Sequence, residues 1–244
     1  MQTSIPSSEE RFSRFAERDA ALVRWRFGRG YVAELARGRY HRMFHGARRI
    51  LDVGCGVGQA AIWADGADYT GIDLSESLIR QGAVEKDRHL AVADVTCLPF
   101  TEASFDRVTC MGVLHHLPQN AVPAALAEMA RVLQSRGEMV IIEPNPWNPF
   151  QRLFAWLRPP ERGILHTSPR DLRRAIDSVP GVSLVSAEFE HTMPLPAIAT
   201  FMLRRWRWPT GPRMTRLLSG AHCVSVALRP RALLSHTFWR LRKD

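Results

Sequence analysis

Residues 49–58, Arg49-Ile50-Leu51-Asp52-Val53-Gly54-Cys55-Gly56-Val57-Gly58, run from an apolar segment straight into three alternating glycines. The apolar half reads as a buried strand and the glycine half as a tight turn, with a short helix expected over 59–65. Missing side chains let such a turn fold back on itself and let a ligand lie against its backbone. The spacing is GxGxG; Gln59 and Ala60 exclude the GxGxxG pattern of dinucleotide sites.

Outward from this turn, strand and helix signals alternate. A second strand over 69–72 ends at Asp73, and Ser75 suits the N-cap of a helix running to about residue 85. A third strand over 89–93 ends at Asp94. A fourth over 105–111 precedes a helix over 121–133, and Ser135-Arg136-Gly137 reads as a turn before a fifth strand over 138–143. Five strand-then-helix units predict an α/β fold: a Rossmann-like, doubly wound, mostly parallel sheet with helices on both faces. Upstream, residues 9–44 place apolar side chains at helical spacing (Phe12, Phe15, Leu22, Trp25) and read as two or three helices. Downstream, Pro144 and Pro146 flank Asn145 and break the rhythm. A helix over 169–178, a strand over 182–189, a Pro-, Trp- and Arg-rich insertion over 191–220 and a last strand over 223–228 complete the pattern.

The 244 residues suffice for one such domain with a substantial core. Apolar stretches such as 139–142 are far too short to cross a bilayer, and Glu9 and Glu10 stand where a secretory signal would be apolar. A cytoplasmic protein is expected. Cys55, Cys97, Cys110 and Cys223 form no CxxC pair and have no histidine at ligand spacing, which argues against a metal site or structural disulfide. The net charge of +9 is one-sided: residues 145–244 hold 16 Lys and Arg against 6 Asp and Glu, and the remainder balances to −1. A basic region favours anionic partners such as phosphates, nucleic acid or acidic lipid headgroups; ordinary solvated arginines are the plain alternative.

The glycine turn, Asp73 and Asp94 fall at three successive strand ends, where ligands bind in open α/β sheets. A carboxylate at Asp73 can accept hydrogen bonds from both hydroxyls of a ribose, and one at Asp94 from an exocyclic adenine amine. Either acid alone reads equally well as a helix cap or a loop residue. Their common register is what carries weight.

As a set, these residues resemble the class I S-adenosylmethionine-dependent methyltransferases of the ubiquinone/menaquinone-biosynthesis type. Leu51 to Gly58 resembles their first motif. Thr70-Gly71-Ile72-Asp73-Leu74-Ser75 resembles their ribose-binding strand end, and Ala93-Asp94-Val95-Thr96-Cys97-Leu98-Pro99-Phe100 their adenine-side motif. Ser104-Phe105-Asp106-Arg107-Val108, Val113-Leu114-His115-His116-Leu117 and Arg131-Val132-Leu133 carry the subgroup likeness, which covers about residues 48–143. The resemblance implies a seven-stranded sheet with an antiparallel last strand, and S-adenosyl-L-methionine (SAM) as cofactor. It implies cofactor contacts from Gly54, Gly56, Gly58, Asp73 and Leu74. Asp52 would position the methionine amino group through water, Asp94 and Val95 would flank the adenine, and Met111 would offer its backbone to the methionine moiety. The single domain over 1–244 then divides into a helical cap (1–46), a SAM-binding core (47–143) and an acceptor-side and C-terminal region (144–244).

The expected reaction is a metal-independent, in-line methyl transfer to O, C or N of a small or lipophilic organic acceptor. An activated donor leaves the protein to align the acceptor, exclude water and, for weak nucleophiles, remove a proton. His115 and His116, past the fourth strand, and Glu143, ending the fifth, are the candidate bases; His166 and His191 rank behind them. The plain alternative for each histidine is a loop residue that shapes the pocket. Met111-Gly112-Val113-Leu114 stands where base-directed amino methyltransferases carry Asn/Asp-Pro-Pro-aromatic, and the paired-glutamate loop of protein arginine methyltransferases is missing. Nucleic acid is thereby demoted as a partner. The last 100 residues hold Trp147, Trp156, Trp206, Trp208 and Trp239 with Phe150, Phe154, Phe201 and Phe238, and aromatic walls suit a hydrophobic or planar acceptor. Residues 150–158 and 201–208 interleave aromatics with arginine. That suits peripheral contact with an anionic membrane or, more plainly, a lid helix with arginine stems lying along it. A SAM-binding protein without transferase activity, and a methyltransferase of lipid-linked intermediates at a membrane, are the alternative readings. The oligomeric state is left open.

Overall fold

The computed structural model describes residues 31–64, 66–83, 89–190 and 234–244. Helix α1 (Tyr31–Phe44) leads into β1 (Arg49–Val53), the glycine turn and a short 3-10 helix (Gln59–Trp63). Then follow β2 (Asp68–Asp73), α2 (Glu76–Gly82), β3 (His89–Val92), β4 (Phe105–Met111), a 3-10 turn (Leu114–His116), α3 (Val122–Val132) and β5 (Leu133–Pro144). After β5 come α4 (Pro149–Leu157), a 3-10 segment (Pro159–Leu165), α5 (Pro169–Asp177), β6 (Val182–Glu190) and β7 (His236–Lys243). They build one seven-stranded sheet in the order β3-β2-β1-β4-β5-β7-β6. Strands β1 to β5 pair in parallel, and β7 runs antiparallel to both β5 and β6.

The central strands are apolar on both faces because both faces are covered. Along β5, Met139 and Ile141 enter a core with Leu51, Val53, Val108, Leu126 and Met129. The alternate residues Val140 and Ile142 enter a second core with Tyr40, Met43, Phe44, Ile50 and Phe238, as the two-residue period of a strand requires. Helix α1 closes that second face: Tyr40, Met43 and Phe44 lie one turn apart and are buried, and Tyr40 stacks on Trp63 at 4.4 Å.

Local chemistry sets the helix starts. Ser75 accepts from the Leu78 N–H to cap α2. Asn148 accepts from the Phe150 and Gln151 N–H groups, and Pro149 begins α4 where its missing donor costs nothing. Ser168 and Asp171 form a reciprocal capping box on α5.

Three boundaries differ from expectation. Helix α2 stops at Gly82, where a side chain would meet the Val57 carbonyl oxygen at 2.5 Å. Residues 135–137 are not a turn between elements but a bulge inside β5, where the pairing jumps from Phe105↔Leu133 to Arg107↔Glu138. Arg136 sits in it at φ 61°. The last strand is β7, not 223–228, a segment that lies outside the described residues together with 191–220. Of the helices expected over 9–44, α1 is described and residues 1–30 lie outside.

Candidate functional site

The ends of β1, β2, β4 and β5 converge on the glycine turn. Gly54 and Gly56 hold φ of 70° and 57°, the left-handed region that glycine enters without steric cost. A Cβ on Gly54 would meet Val113 Cγ2 at 2.1 Å, so the loop after β4 packs directly on the turn. A Cβ on Gly56 would meet nothing within 4 Å, leaving open space above the backbone. Gly58 begins the 3-10 helix, which at five residues is shorter than the α-helix of a dinucleotide fold and presents a weaker dipole.

Asp73, at the end of β2, faces this turn. Its Oδ2 accepts from the Gly56 N–H and its Oδ1 from the Ser75 N–H, each at 2.9 Å. Burial pushes its pKa up, against the pull of those backbone donors. Each oxygen retains a lone pair for a further donor. Leu74 beside it is 52% exposed, an apolar surface next to the carboxylate.

Asp52 lies deeper. Tyr69 donates its hydroxyl to Asp52 Oδ2 at 2.6 Å, and Thr109 to Oδ1 at 2.9 Å. Burial lifts the Asp52 pKa to about 6 despite both donors. Asp94 is exposed, and its Oδ1 accepts from the Thr96 N–H and hydroxyl at 2.8 Å each. The Val95 side chain enters the core, so only its backbone is available to a ligand. Met111 ends β4 half-buried, with Arg39 of α1 donating to its sulfur at 3.8 Å.

The three candidate bases come together, in distinct electrostatic states. Glu143 is buried and accepts from the N–H groups of Val113, Leu114 and His115 at 3.0, 2.8 and 3.3 Å, and from His115 Nδ1 at 2.7 Å. It ties the loop after β4 to the end of β5. His115 turns its other nitrogen, Nε2, to Glu161 Oε2 at 3.2 Å. Burial alone would lower its pKa, but Glu143 and Glu161 outweigh this and raise it to about 9. His115 is therefore an imidazolium at neutral pH, donating from both nitrogens. Burial and the neighbouring His115 charge push His116 down to about 4, so it is neutral. Its Nδ1 meets the Pro160 carbonyl oxygen at 3.2 Å, and because a carbonyl only accepts, the proton sits on Nδ1 and the lone pair on Nε2.

Donor atoms of His115, His116 and Glu161 gather within 4.8 Å, the one such group among the described residues. Sequence reasoning missed Glu161, Tyr69 and Thr109. Glu161 lies 46 residues from His115 on a Pro-Pro-Glu segment with no local marker, whereas Tyr69 and Thr109 read only as strand members. His166 offers its carbonyl to Gln119 at 2.6 Å, and His191 lies outside the described residues. Among the cysteines, burial pushes the Cys55 and Cys110 thiols up, which makes them inert.

Residues 51–141 match the family described as a methyltransferase domain. A demethylmenaquinone methyltransferase of Beutenbergia cavernae is 33% identical over 137 residues, covering 54% of this chain and 53% of that protein. A ubiquinone biosynthesis O-methyltransferase of Alkalilimnicola ehrlichii is 36% identical, covering 45% and 47%. The chain thus spans about half the length of these curated relatives. Among solved structures, the [4+2]-cyclase SpnF superposes with a TM-score of 0.64 at 19% identity over 98% of this chain and 97% of that one, a likeness of fold.

Proposed function

We propose that this chain, whose residues 51–141 match a methyltransferase domain, is a class I SAM-dependent methyltransferase that transfers a methyl group from SAM to a small, planar and lipophilic acceptor of the quinone type. The observation that carries the reading is the Asp73 carboxylate, fixed at 2.9 Å by the Gly56 and Ser75 amides beside an open glycine backbone. Its remaining lone pairs suit the two ribose hydroxyls. The residues fit the rest of the cofactor: Gly54, Gly56 and Gly58 shape the turn, Leu74 and the Val95 backbone would flank the adenine, and Asp94 would accept from its amine. Asp52, backed by Tyr69 and Thr109, would position the methionine amino group together with the Met111 backbone.

SAM supplies a methyl group on an already cationic sulfur. This chain's residues are left to orient the acceptor, exclude water and manage a proton. His116 is the group suited to take one: neutral across the physiological range, with its lone pair on Nε2. His115, protonated between Glu143 and Glu161, is a positioning residue that holds His116 in ring contact at 3.9 Å. Glu143 positions both through the loop amides. The acceptor side falls to residues 144–244 and the cap to residues 1–46, around a core of 47–143.

Helix α4 exposes Phe150, Leu153, Trp156 and Leu157. With Arg152 on the helix and Arg158 at its C-cap, that surface supports peripheral contact with an anionic membrane, which suits a lipophilic acceptor. No helix among the described residues is long and apolar enough to cross a membrane. Sedimentation with acidic vesicles tests the contact, and full recovery in the supernatant at low salt removes it.

Labelled SAM incubated with hydroxylated quinones and phenols bearing short prenyl tails tests the reaction, with products identified by mass spectrometry. Labelled methylated product is expected. SAM binding with no transfer to any of them or to cell extract supports instead a SAM-binding protein without transferase activity, a reading kept open by the fold shared with a protein named as a cyclase.

A further inference from the structure

The opposite edge of the sheet, at the starts of β1, β4 and β5, carries a cavity of about 520 Å³, a size that holds small ligands. Five guanidinium groups line it, from Arg42, Arg48, Arg107, Arg136 and Arg240, against two carboxylates, Asp106 and Glu138. Both carboxylates are committed. Asp106 accepts from the backbone N–H groups of Arg48 and Arg49 at 3.0 to 3.2 Å. Glu138 is shared by Arg107 at 3.1 Å, Arg242 at 3.0 Å and Arg240 at 3.9 Å. Arg42 pairs with Glu188 and Glu190, whereas Arg48 and Arg136 make no ion pair among the described residues.

Two further observations point to a missing acceptor. The Nε atoms of Arg107 and Arg240 are shielded from solvent and meet no hydrogen-bond partner, although Arg107 as a whole is only 7% exposed. A buried N–H without an acceptor is costly, so native proteins rarely leave one. Arg136 stands at φ 61° in the β5 bulge, a conformation unfavourable to any residue with a Cβ. Residues held in such conformations cluster at sites of use, and this one delivers a charged side chain to the cavity wall.

We propose that this cavity binds a phosphate-type anion, a phosphate ester or diphosphate, carried by a soluble metabolite or by a lipid headgroup. Forked guanidinium groups match phosphoryl oxygens, and an anion here would meet the two orphaned Nε donors and neutralise the excess arginines. The site lies at the far edge of the sheet from Asp73 and stands independently of the methyltransferase reading.

Inorganic pyrophosphate, titrated at constant ionic strength into the full chain, is the probe. Calorimetry and melting temperature are followed for the wild type, for Arg136→Gly combined with Arg240→Gln, and separately for the exposed Arg48→Gln. Glycine relieves the φ at position 136, so the double variant should melt no lower than wild type in the absence of anion. Saturable binding is expected in the wild type, weakened at least about tenfold in the double variant, the loss of one charge-assisted hydrogen bond or more. Vesicles carrying phosphatidic acid separate the two sources: capture that pyrophosphate displaces assigns the site to a headgroup, and no such capture beside intact calorimetric binding assigns it to a soluble phosphate. No saturable heat in the wild type, or equal affinity in all three proteins, overturns the proposal.

Discussion

Replacing Glu143 by Gln keeps the shape of the side chain and removes its charge. In the wild type, one carboxylate receives three backbone N–H groups and the His115 imidazolium, all in a buried setting. In the variant, one amide oxygen can still serve the Val113 and Leu114 amides, but an NH₂ then faces the two His115 donors. Leaving one partner of a buried ion pair uncompensated costs about 3–5 kcal/mol. At about 2–4 °C per kcal/mol for a chain of this size, the melting temperature should fall by about 6–20 °C. The loss should also depend on pH in a specified direction. The His115 pKa rises from 6.5 to about 9 on folding. Its contribution is therefore complete below pH 6.5 and is lost as pH rises through 9, a span of about 3 kcal/mol. Denaturant unfolding at pH 6, 7.5 and 9.5 should show a wide gap between wild type and Glu143→Gln at the lowest pH that narrows at the highest. A fall of under about 2 °C, a figure below one kcal/mol, or a gap that stays constant with pH, would refute the claim that Glu143 organises a protonated His115.

Three other outcomes follow from the same geometry. Gly54→Ala should destabilise the fold strongly, because its Cβ collides with Val113 at 2.1 Å and φ is 70°, whereas Gly56→Ala should cost only about 1 kcal/mol of backbone strain yet weaken cofactor binding; melting curves and calorimetry on both variants separate the two effects. Because burial raises Asp52 from 3.8 to about 6, the neutral form stabilises the fold below pH 3.8 and that stabilisation is lost through pH 6. A ligand amine needs the carboxylate, so affinity for S-adenosylhomocysteine should climb through pH 6 and level off above it; a flat profile removes Asp52 from the site. Should His116 accept the acceptor's proton, His116→Phe should lower kcat by about 100-fold or more with little change in KM or melting temperature; an unchanged kcat leaves it a wall of the pocket.

Much of the geometry around the proposed cofactor side was legible in the chain because its chemistry is local. A strand followed by glycines, and acids at strand ends, announce themselves within a few residues, and Ser75 caps α2 as its spacing predicts. The last strand was not legible. In β7 the charges of Arg240, Arg242 and Lys243 obscure the burial of Thr237, Phe238, Trp239 and Leu241, which only the neighbours β5 and β6 explain. The histidine pair could be singled out as candidates in the chain, but the charge of each ring could not. Which ring carries charge is decided by Glu161, 46 residues away, and by the Pro160 carbonyl, contacts that no spacing encodes. The bulge at Arg136 likewise reads as an ordinary turn until the β4–β5 pairing is seen.

The account turns on a nucleoside held by its sugar at the end of β2. Titration of the purified chain with S-adenosylhomocysteine, wild type against Asp73→Asn, tests this most directly, with circular dichroism confirming that both are folded. The account predicts saturable binding in the wild type and a loss of about 10- to 150-fold in the variant, equivalent to one charged hydrogen bond at about 1.5–3 kcal/mol. No measurable heat in the wild type, or equal affinity in the two proteins, would contradict it.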